Sequence, residues 1–372
     1  MIKYSNKFNY TIIYYDTENI KYLTYPNSAN VNLIFIPSAE TPLLKKLALL
    51  SNLALNCNTF NMKKNKEVSE LKKYNIKILI IPFPSLFGYR NNIPYIVTIP
   101  DLMYKYYPNF PEYPLKVRIR RDIEYKNAAK HSVLTVVDSL QGADDLYKFL
   151  KIPKEKSRAI PYMPPGYIYK YKDIDAKAVS SILKKYSLPE KFLFYPAQFW
   201  YHKNHARLLK AIELIKKNYQ IKISLVLVGA PQESYNKIIK LIQQLNLSNQ
   251  VRHLGYVAYE EIVALYKKSL ALIFPDLLGP TNIPPLEAII LGTPIVCSNA
   301  FAMPEQIGDA GLLFNPYSIE EIADNIYKIW TDNDLRLKLI QKGKERAKNL
   351  ILEKYANKWE IIIEEALEKI NN

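Results

Sequence analysis

Apolar and polar positions alternate along the second half of the chain in a regular way. Short apolar runs fall at residues 192–197 (FLFYPA), 221–228 (IKISLVLV), 251–257 (VRHLGYV), 271–274 (ALIF) and 293–298 (TPIVCS). They are the length of strands, and Gly229, Pro275 and Gly292 punctuate three of them, which marks buried strands. Between them, residues 206–217, 233–245, 259–269 and 286–291 carry helical spacing, and helices at 319–330, 334–349 and 351–370 close the chain. Strand–helix alternation of this kind predicts an α/β fold with a parallel, doubly wound sheet. The first half repeats the pattern less cleanly. Strands are expected at 10–15, 32–36, 77–82, 95–99, 133–138 and 157–161, and helices at 43–55, 62–74, 115–129 and 140–150. Ser139 is the expected cap of the last of these helices. Residues 162–172 (YMPPGYIYKYK) are rich in Pro, Gly and Tyr and read as an interdomain linker, followed by a helix at 175–186.

The most informative stretch is 271–308, ALIFPDLLGPTNIPPLEAIILGTPIVCSNAFAMPEQIG. It reads as strand, loop, helix, strand, loop. Pro284 and Pro285 suit the first turn of a helix, where a missing amide hydrogen costs nothing. Gly292 suits its end. The free amides near Asn282, Ile283 and Leu286 would then face a loop and favour an anion. Glu287, read as part of the first turn, would repel a phosphate placed too close. A ligand with phosphates for the amides and hydroxyls for Glu287 satisfies both, and a nucleotide is such a ligand. A plain structural helix with an acidic start is the alternative. Ligands of doubly wound sheets sit outside the carboxyl ends of the strands. Three loops end strands there: QFWYHKNH, the loop after Leu254-Gly255, and LLGPTNI.

Composition narrows the picture. A chain of 372 residues that is 49% hydrophobic can build two domains with cores. No apolar run approaches the roughly 18 residues of a membrane-crossing helix. The N-terminus MIKYSNKFNY lacks the apolar stretch of a signal peptide, so a cytoplasmic protein is expected. Cys57 and Cys297 both lie in apolar settings and read as buried thiols. The net charge of +16 allows nucleic acid, an anionic membrane surface or anionic substrates. No RNA-binding motif and no basic tail accompany it, so nucleic acid is not expected as a partner. Lys116, Arg118, Arg120 and Arg121 on the helix at 115–129 point to a membrane surface or to a solvated basic face.

These segments carry a resemblance. The second half resembles the family-4 glycosyltransferases, retaining enzymes of GT-B fold, through FLFYPAQFWYHKNHARLLKAI, VRHLGYV, IPPLEAIILGTPIVCSN and MPEQIGDAGLLFNP. The first half matches through YIVTIPDLMYKYYP and VLTVVDSLQGADDL. The resemblance implies two Rossmann-like domains facing a cleft. It implies an acceptor-side domain at 1–165 and a nucleotide-sugar donor domain at 166–350. A C-terminal helix at 351–372 would cross back to the first domain.

What the resemblance implies for the site is carried over residue by residue. Lys203 matches the lysine that holds the donor diphosphate. Gln198 stands where the family has an arginine, and the backbone at Asn282 and Ile283 would add to the phosphate site. Glu287 matches the second of two glutamates separated by seven residues, the one on the ribose. Gly279 stands at the first, so Gly279, Pro280 and Thr281 form a variant donor-sugar loop. Leu254, Gly255 and Tyr256 would meet the base. The family's His-Asp pair reads Pro100-Asp101 here, leaving Asp101 as the candidate at the acceptor hydroxyl, with a turn cap as its alternative. The glycine-rich loop of the family's first domain is replaced by PSAETP or shortened. His202 and His205 read as one phosphate-orienting and one capping residue, and Phe199, Trp200 and Tyr201 as acceptor groove or packing. No metal and no cofactor are implied, since lysine and helix amides neutralise the phosphates.

The function so implied is retaining, metal-independent transfer of a sugar from a nucleotide sugar to a glycan or lipid-linked acceptor. The missing charges leave a second reading, a non-catalytic GT-B-like subunit that binds nucleotide or glycan. An epimerase or phosphorylase on the same architecture is a third.

Overall fold

The computed structural model describes residues 7–14, 31–35, 71, 73–279 and 281–371. The expected helix at 43–55, most of that at 62–74, the PSAETP segment, Cys57 and Pro280 lie outside these residues. The described chain divides into two units. One comprises Met1–Lys105, Leu115–Ile160 and Leu352–Asn372; the other Tyr106–Pro114 and Pro161–Ile351.

In the first unit, β1 (Tyr10–Tyr14) pairs in parallel with β2 (Val31–Phe35). A second parallel sheet has the order β3–β4–β5–β6, from Leu79–Ile81, Tyr95–Thr98, Leu134–Val137 and Ser157–Ala159. β4 and β5 are buried at every position, as a strand covered on both faces must be. Ser139 accepts the Gly142 amide at 3.0 Å and caps the next helix. That helix is α only over Leu140–Asp145; Leu146–Leu150 continues it as a π turn. The last helix, Leu352–Asn371, belongs to this unit. Its Ile362, Ile363 and Ala366 pack with Ile96, Leu134, Val136 and Ile160. Arg158 on β6 grips Glu365 with two guanidinium nitrogens, one bond at 2.8 Å, which fixes the helix's register on the sheet.

The second unit holds a six-stranded, all-parallel sheet of order β12–β11–β10–β7–β8–β9. Its strands are β7 (Leu193–Pro196), β8 (Leu225–Val228), β9 (Val251–His253), β10 (Ala271–Phe274), β11 (Ile295–Ser298) and β12 (Gly311–Phe314). Its core is one apolar cluster. Leu208, Ile212 and Ile215 come from the helix His205–Tyr219, and Ile322, Ile326 and Ile329 from the helix Ile319–Thr331. The order reverses between β7 and β10, which are neighbours in register Leu272↔Phe194. That reversal splays the following connections to opposite sides and leaves a crevice at the strands' carboxyl ends.

Two sequence expectations change here. The stretch read as a linker contains a helix, Gly166–Tyr171. Its proline–glycine composition marks a helix start rather than a coil, and the fully buried Ile168 holds it to the second unit. The aromatic segment Tyr106–Pro114, expected with the first domain, is part of the second unit. Among the described residues no helix is long and apolar enough to cross a membrane.

Candidate active site

The crevice is built from the loops that follow β7 and β10. Asn204 adopts a left-handed backbone (φ 59°), and its side-chain amide donates to the carbonyls of Pro275 (3.0 Å) and Pro316 (2.8 Å). The Leu277 amide donates to the His202 carbonyl at 2.9 Å. The Tyr195 hydroxyl, rising from β7, donates to the Lys203 carbonyl at 2.7 Å. These bonds hold the two loops side by side and fix the backbone of Lys203. The start of the β7 loop is also packed against Gly229, at the end of β8, where a Cβ would lie 2.3 Å from the Ala197 carbonyl oxygen.

The ammonium of Lys203 is paired with the carboxylate of Asp276 and lies 5.4 Å from the centre of the Phe274 ring. Asp276 is 1% exposed, and its other oxygen accepts the Leu278 amide at 3.0 Å. A buried carboxylate needs such partners, because its charge has lost its water. Sequence reasoning missed Asp276. Its only signal was an acid directly after a strand, in the crevice loop.

Glu287 lies on the helix Ile283–Leu291, which begins earlier than the sequence implied and has Pro284 and Pro285 in its first turn. Glu287 is therefore its fifth residue, outside the first turn, and its link to the helix start is weaker than expected. It is 4% exposed. One oxygen accepts the Tyr167 hydroxyl at 2.6 Å and the other the Tyr266 hydroxyl at 2.7 Å. Burial raises the carboxyl above its ordinary value, and the two hydroxyls offset only part of that. Tyr167, on the helix Gly166–Tyr171, also stacks on Tyr259 with ring centres 4.4 Å apart and planes 12° apart.

The amide of Asn282 is not open to a phosphate. It donates to the Gln306 side chain at 2.9 Å, and Gln306 returns a 2.5 Å bond to the Asn282 carbonyl. Ile283 is exposed beside it. Gly279 has φ 102°, and a Cβ there would lie 2.8 Å from the Asn282 side chain, so only glycine fits the turn. Thr281 is half-buried in the same loop. Gln198 is exposed and accepts the Trp200 indole N–H at 2.8 Å. At the third loop, the Leu254 amide donates to the Leu227 carbonyl and the Gly255 carbonyl accepts the Gly229 amide, which extends the pairing of β8 and β9 just past their ends. Tyr256 is 83% exposed.

The histidines separate in role. His202 receives Glu112, from the aromatic segment, at its ring Nδ1 (2.8 Å) and its backbone amide (2.9 Å). Burial would raise the Glu112 carboxyl, but the His202 bonds outweigh it and hold it below its ordinary value. Phe110 meets Tyr201 edge-on at 5.1 Å, which seats the same segment. His205 is neither a phosphate ligand nor a side-chain cap. Its ring stacks on Phe199 at 4.5 Å in the core, and burial, followed by the nearby Lys203 charge, pushes its pKa down to about 3. Phe199 is fully buried, so it packs and lines no groove.

Asp101 belongs to the first unit, after β4. Its Oδ1 accepts the Met103 amide at 3.0 Å and lies 3.8 Å from Arg121, so it caps the helix Met103–Tyr106. The remaining described candidates, Gln198, Lys203, Leu254, Gly255, Tyr256, Gly279, Thr281, Asn282, Ile283 and Glu287, all belong to the second unit.

Two Rossmann-like units with parallel sheets are the GT-B fold of glycosyltransferases. A crystal structure of a glycosyltransferase from Rickettsia africae ESF-5 has this fold. It matches with a TM-score of 0.70 over 97% of this chain and 90% of that one, at 18% identity. Residues 181–346 match the family Glycosyl transferases group 1, the stretch that carries Lys203 and Glu287. Among curated proteins, the serotype-specific mannosyltransferase WbdA of Escherichia coli is 32% identical over 43% of this chain. The O-antigen chain mannosyltransferase B of Escherichia coli is 29% identical over 45% of it. The matches span 20% and 44% of the lengths of those two relatives.

Proposed function

We propose that the protein transfers a hexosyl group from a nucleoside diphosphate sugar to a glycan or lipid-linked acceptor. The observation that carries this is the placement of Lys203 and Glu287 on strand-end loops and helices of the second sheet, inside the stretch matched by group 1. In this reading Lys203 and the backbone at Ile283 meet the diphosphate, with Gln198 donating from the loop edge. Glu287 meets the ribose hydroxyls, and the loop at Leu254, Gly255 and Tyr256 meets the base. The relatives' names make mannose the first sugar to test.

The reaction we assign is retaining and metal-independent. The anomeric C–O bond breaks, and the nucleoside diphosphate leaves with the electron pair. The acceptor oxygen bonds to the same face of the sugar, and its proton passes to the departing diphosphate. Lys203 stabilises the charge that grows on the leaving phosphate. The acceptor is met at an anionic membrane surface by the basic helix Leu115–His131.

A second reading has its own support. Lys203 is paired with Asp276, Glu287 with two tyrosines, and Gly279 offers no carboxylate, which fits a subunit that binds without turnover.

The test is thermal unfolding with GDP, UDP, ADP and CDP, on wild type and Glu287→Ala. One diphosphate at a hundredfold its dissociation constant is expected to stabilise wild type by about 2.7 kcal/mol and the variant by much less. Turnover of the matching nucleotide sugar then separates enzyme from binding subunit. Stabilisation by none of the four sinks the nucleotide reading.

A further inference from the structure

We propose that Tyr167 is an internal stand-in for the nucleoside, and that a nucleoside diphosphate enters by taking its place on Glu287 and Tyr259. The inference rests on the assignment of Glu287 to the ribose.

Tyr167 makes two contacts that a bound nucleoside would make. Its hydroxyl donates to Glu287 Oε1 at 2.6 Å, as a ribose hydroxyl would. Its ring lies flat on Tyr259, 12° from parallel, as a base would. Flat stacking places one π-face in the position a purine or pyrimidine prefers. With Glu287 only 4% exposed and a tyrosine on each oxygen, a ribose cannot reach the carboxylate in full while Tyr167 stays.

The two tyrosines are not equivalent. Tyr266 is fully buried on the helix Tyr259–Lys268, its ring edge-on to Phe194 at 4.9 Å, and it has nowhere to go. Tyr167 is half-buried on a helix of six residues. Tyr266 therefore orients Glu287 permanently, and Tyr167 is the partner that yields. A site that must give up an internal contact binds its ligand more weakly than its intrinsic affinity by the fraction of time it is open. Tyr167 thereby keeps a buried carboxylate satisfied between turnovers and sets nucleotide affinity at the same time.

The experiment compares wild type, Tyr167→Phe and Tyr266→Phe by titration calorimetry with GDP, UDP, ADP and CDP. Their 2′,3′-dideoxy counterparts are titrated in parallel. Tyr167→Phe removes one oxygen and keeps the ring. It is expected to tighten the preferred ribonucleotide about tenfold, the size of a hydrogen bond to a charged group. The dideoxy form cannot replace the lost hydroxyl and is expected not to tighten. Tyr266→Phe is expected to tighten neither. A merely looser fold would move both forms together. Equal or weaker ribonucleotide binding by Tyr167→Phe, or the same gain in the dideoxy form or in Tyr266→Phe, overturns the inference while leaving Glu287 on the ribose. Failure of wild type and both variants to bind any of the nucleotides overturns the nucleotide reading and this inference with it.

Discussion

His205 shows how far a residue's neighbours decide its chemistry. Its sequence context, HKNH, is that of a polar loop, yet the ring is shut into the core against Phe199 and held neutral down to about pH 3. In the unfolded chain it takes a proton near pH 6.5. Between those values the unfolded state binds the proton and the folded state does not, so stability falls as pH falls through that window. The slope from this one group is about 1.4 kcal/mol per pH unit. His205→Phe is expected to lose that slope, whatever its stability at pH 7. Denaturant unfolding of both proteins at pH 7 and pH 5 checks it, and parallel pH profiles would refute it. Glu287 works in the opposite sense. Its raised carboxyl makes the folded state the better proton binder above the ordinary carboxylate range, so its ionisation costs stability as pH rises. The positions of Lys203 after a strand and of Glu287 behind a double proline were legible because both relations are local in the chain. Asp276, Tyr167, Tyr266, Gln306 and Glu112 were not. Each meets its partner across a gap in sequence that only the fold closes, from 21 residues for Tyr266 to 120 for Tyr167.

At the scale of the element, the strands of the second sheet were legible because full burial leaves an uninterrupted apolar run. Their ends were less so. The expected strand 221–228 is a strand only over Leu225–Val228, since propensity does not say where a partner strand stops. The helix Gly166–Tyr171 inside the expected linker was not legible, because proline and glycine mark breaks and starts alike. The loop after β7 carries a prediction. Gly229 lies against the backbone of Ala197 and Gln198, both within 3 Å of where a side chain would begin. Backbone cannot move aside as a flexible side chain can. Gly229→Ala is expected to cost roughly 2 to 4 kcal/mol by overpacking and strain. It should also weaken nucleotide binding, because the shifted loop carries Lys203. Denaturant midpoints and calorimetry read the two effects, and a loss under 1 kcal/mol would show that the loop has room.

For the whole molecule, the net charge of +16 favours anionic partners, and one basic helix offers a surface to test. On the helix Leu115–His131, Leu115 (62%) and Ile119 (51%) are exposed beside the exposed Lys116 and Arg120. Apolar side chains that stay in water next to cations suit the surface of an anionic bilayer. Wild type is expected to sediment with anionic vesicles and not with neutral ones at moderate salt. Reversing Lys116 and Arg120 to Glu should reduce that binding at least about tenfold, since each basic residue near the surface contributes ~1 kcal/mol. Equal sedimentation with both vesicles, or none, would leave the patch a solvated face.

The sequence alone determined that the second half is a parallel α/β sheet. It also determined that a helix opened by prolines follows β10, and that Lys203 and Glu287 stand near strand ends. These properties depend on periodicity and on residues adjacent in the chain, which act before any tertiary contact forms. Tertiary structure decided the state of the site. It gave Lys203 to Asp276, closed the Asn282 amide with Gln306, laid Tyr167 across Glu287 and Tyr259, and drew the aromatic segment Tyr106–Pro114 onto the second unit. Buried charges and polar groups must find partners wherever packing brings them close, and no local pattern records which ones those are.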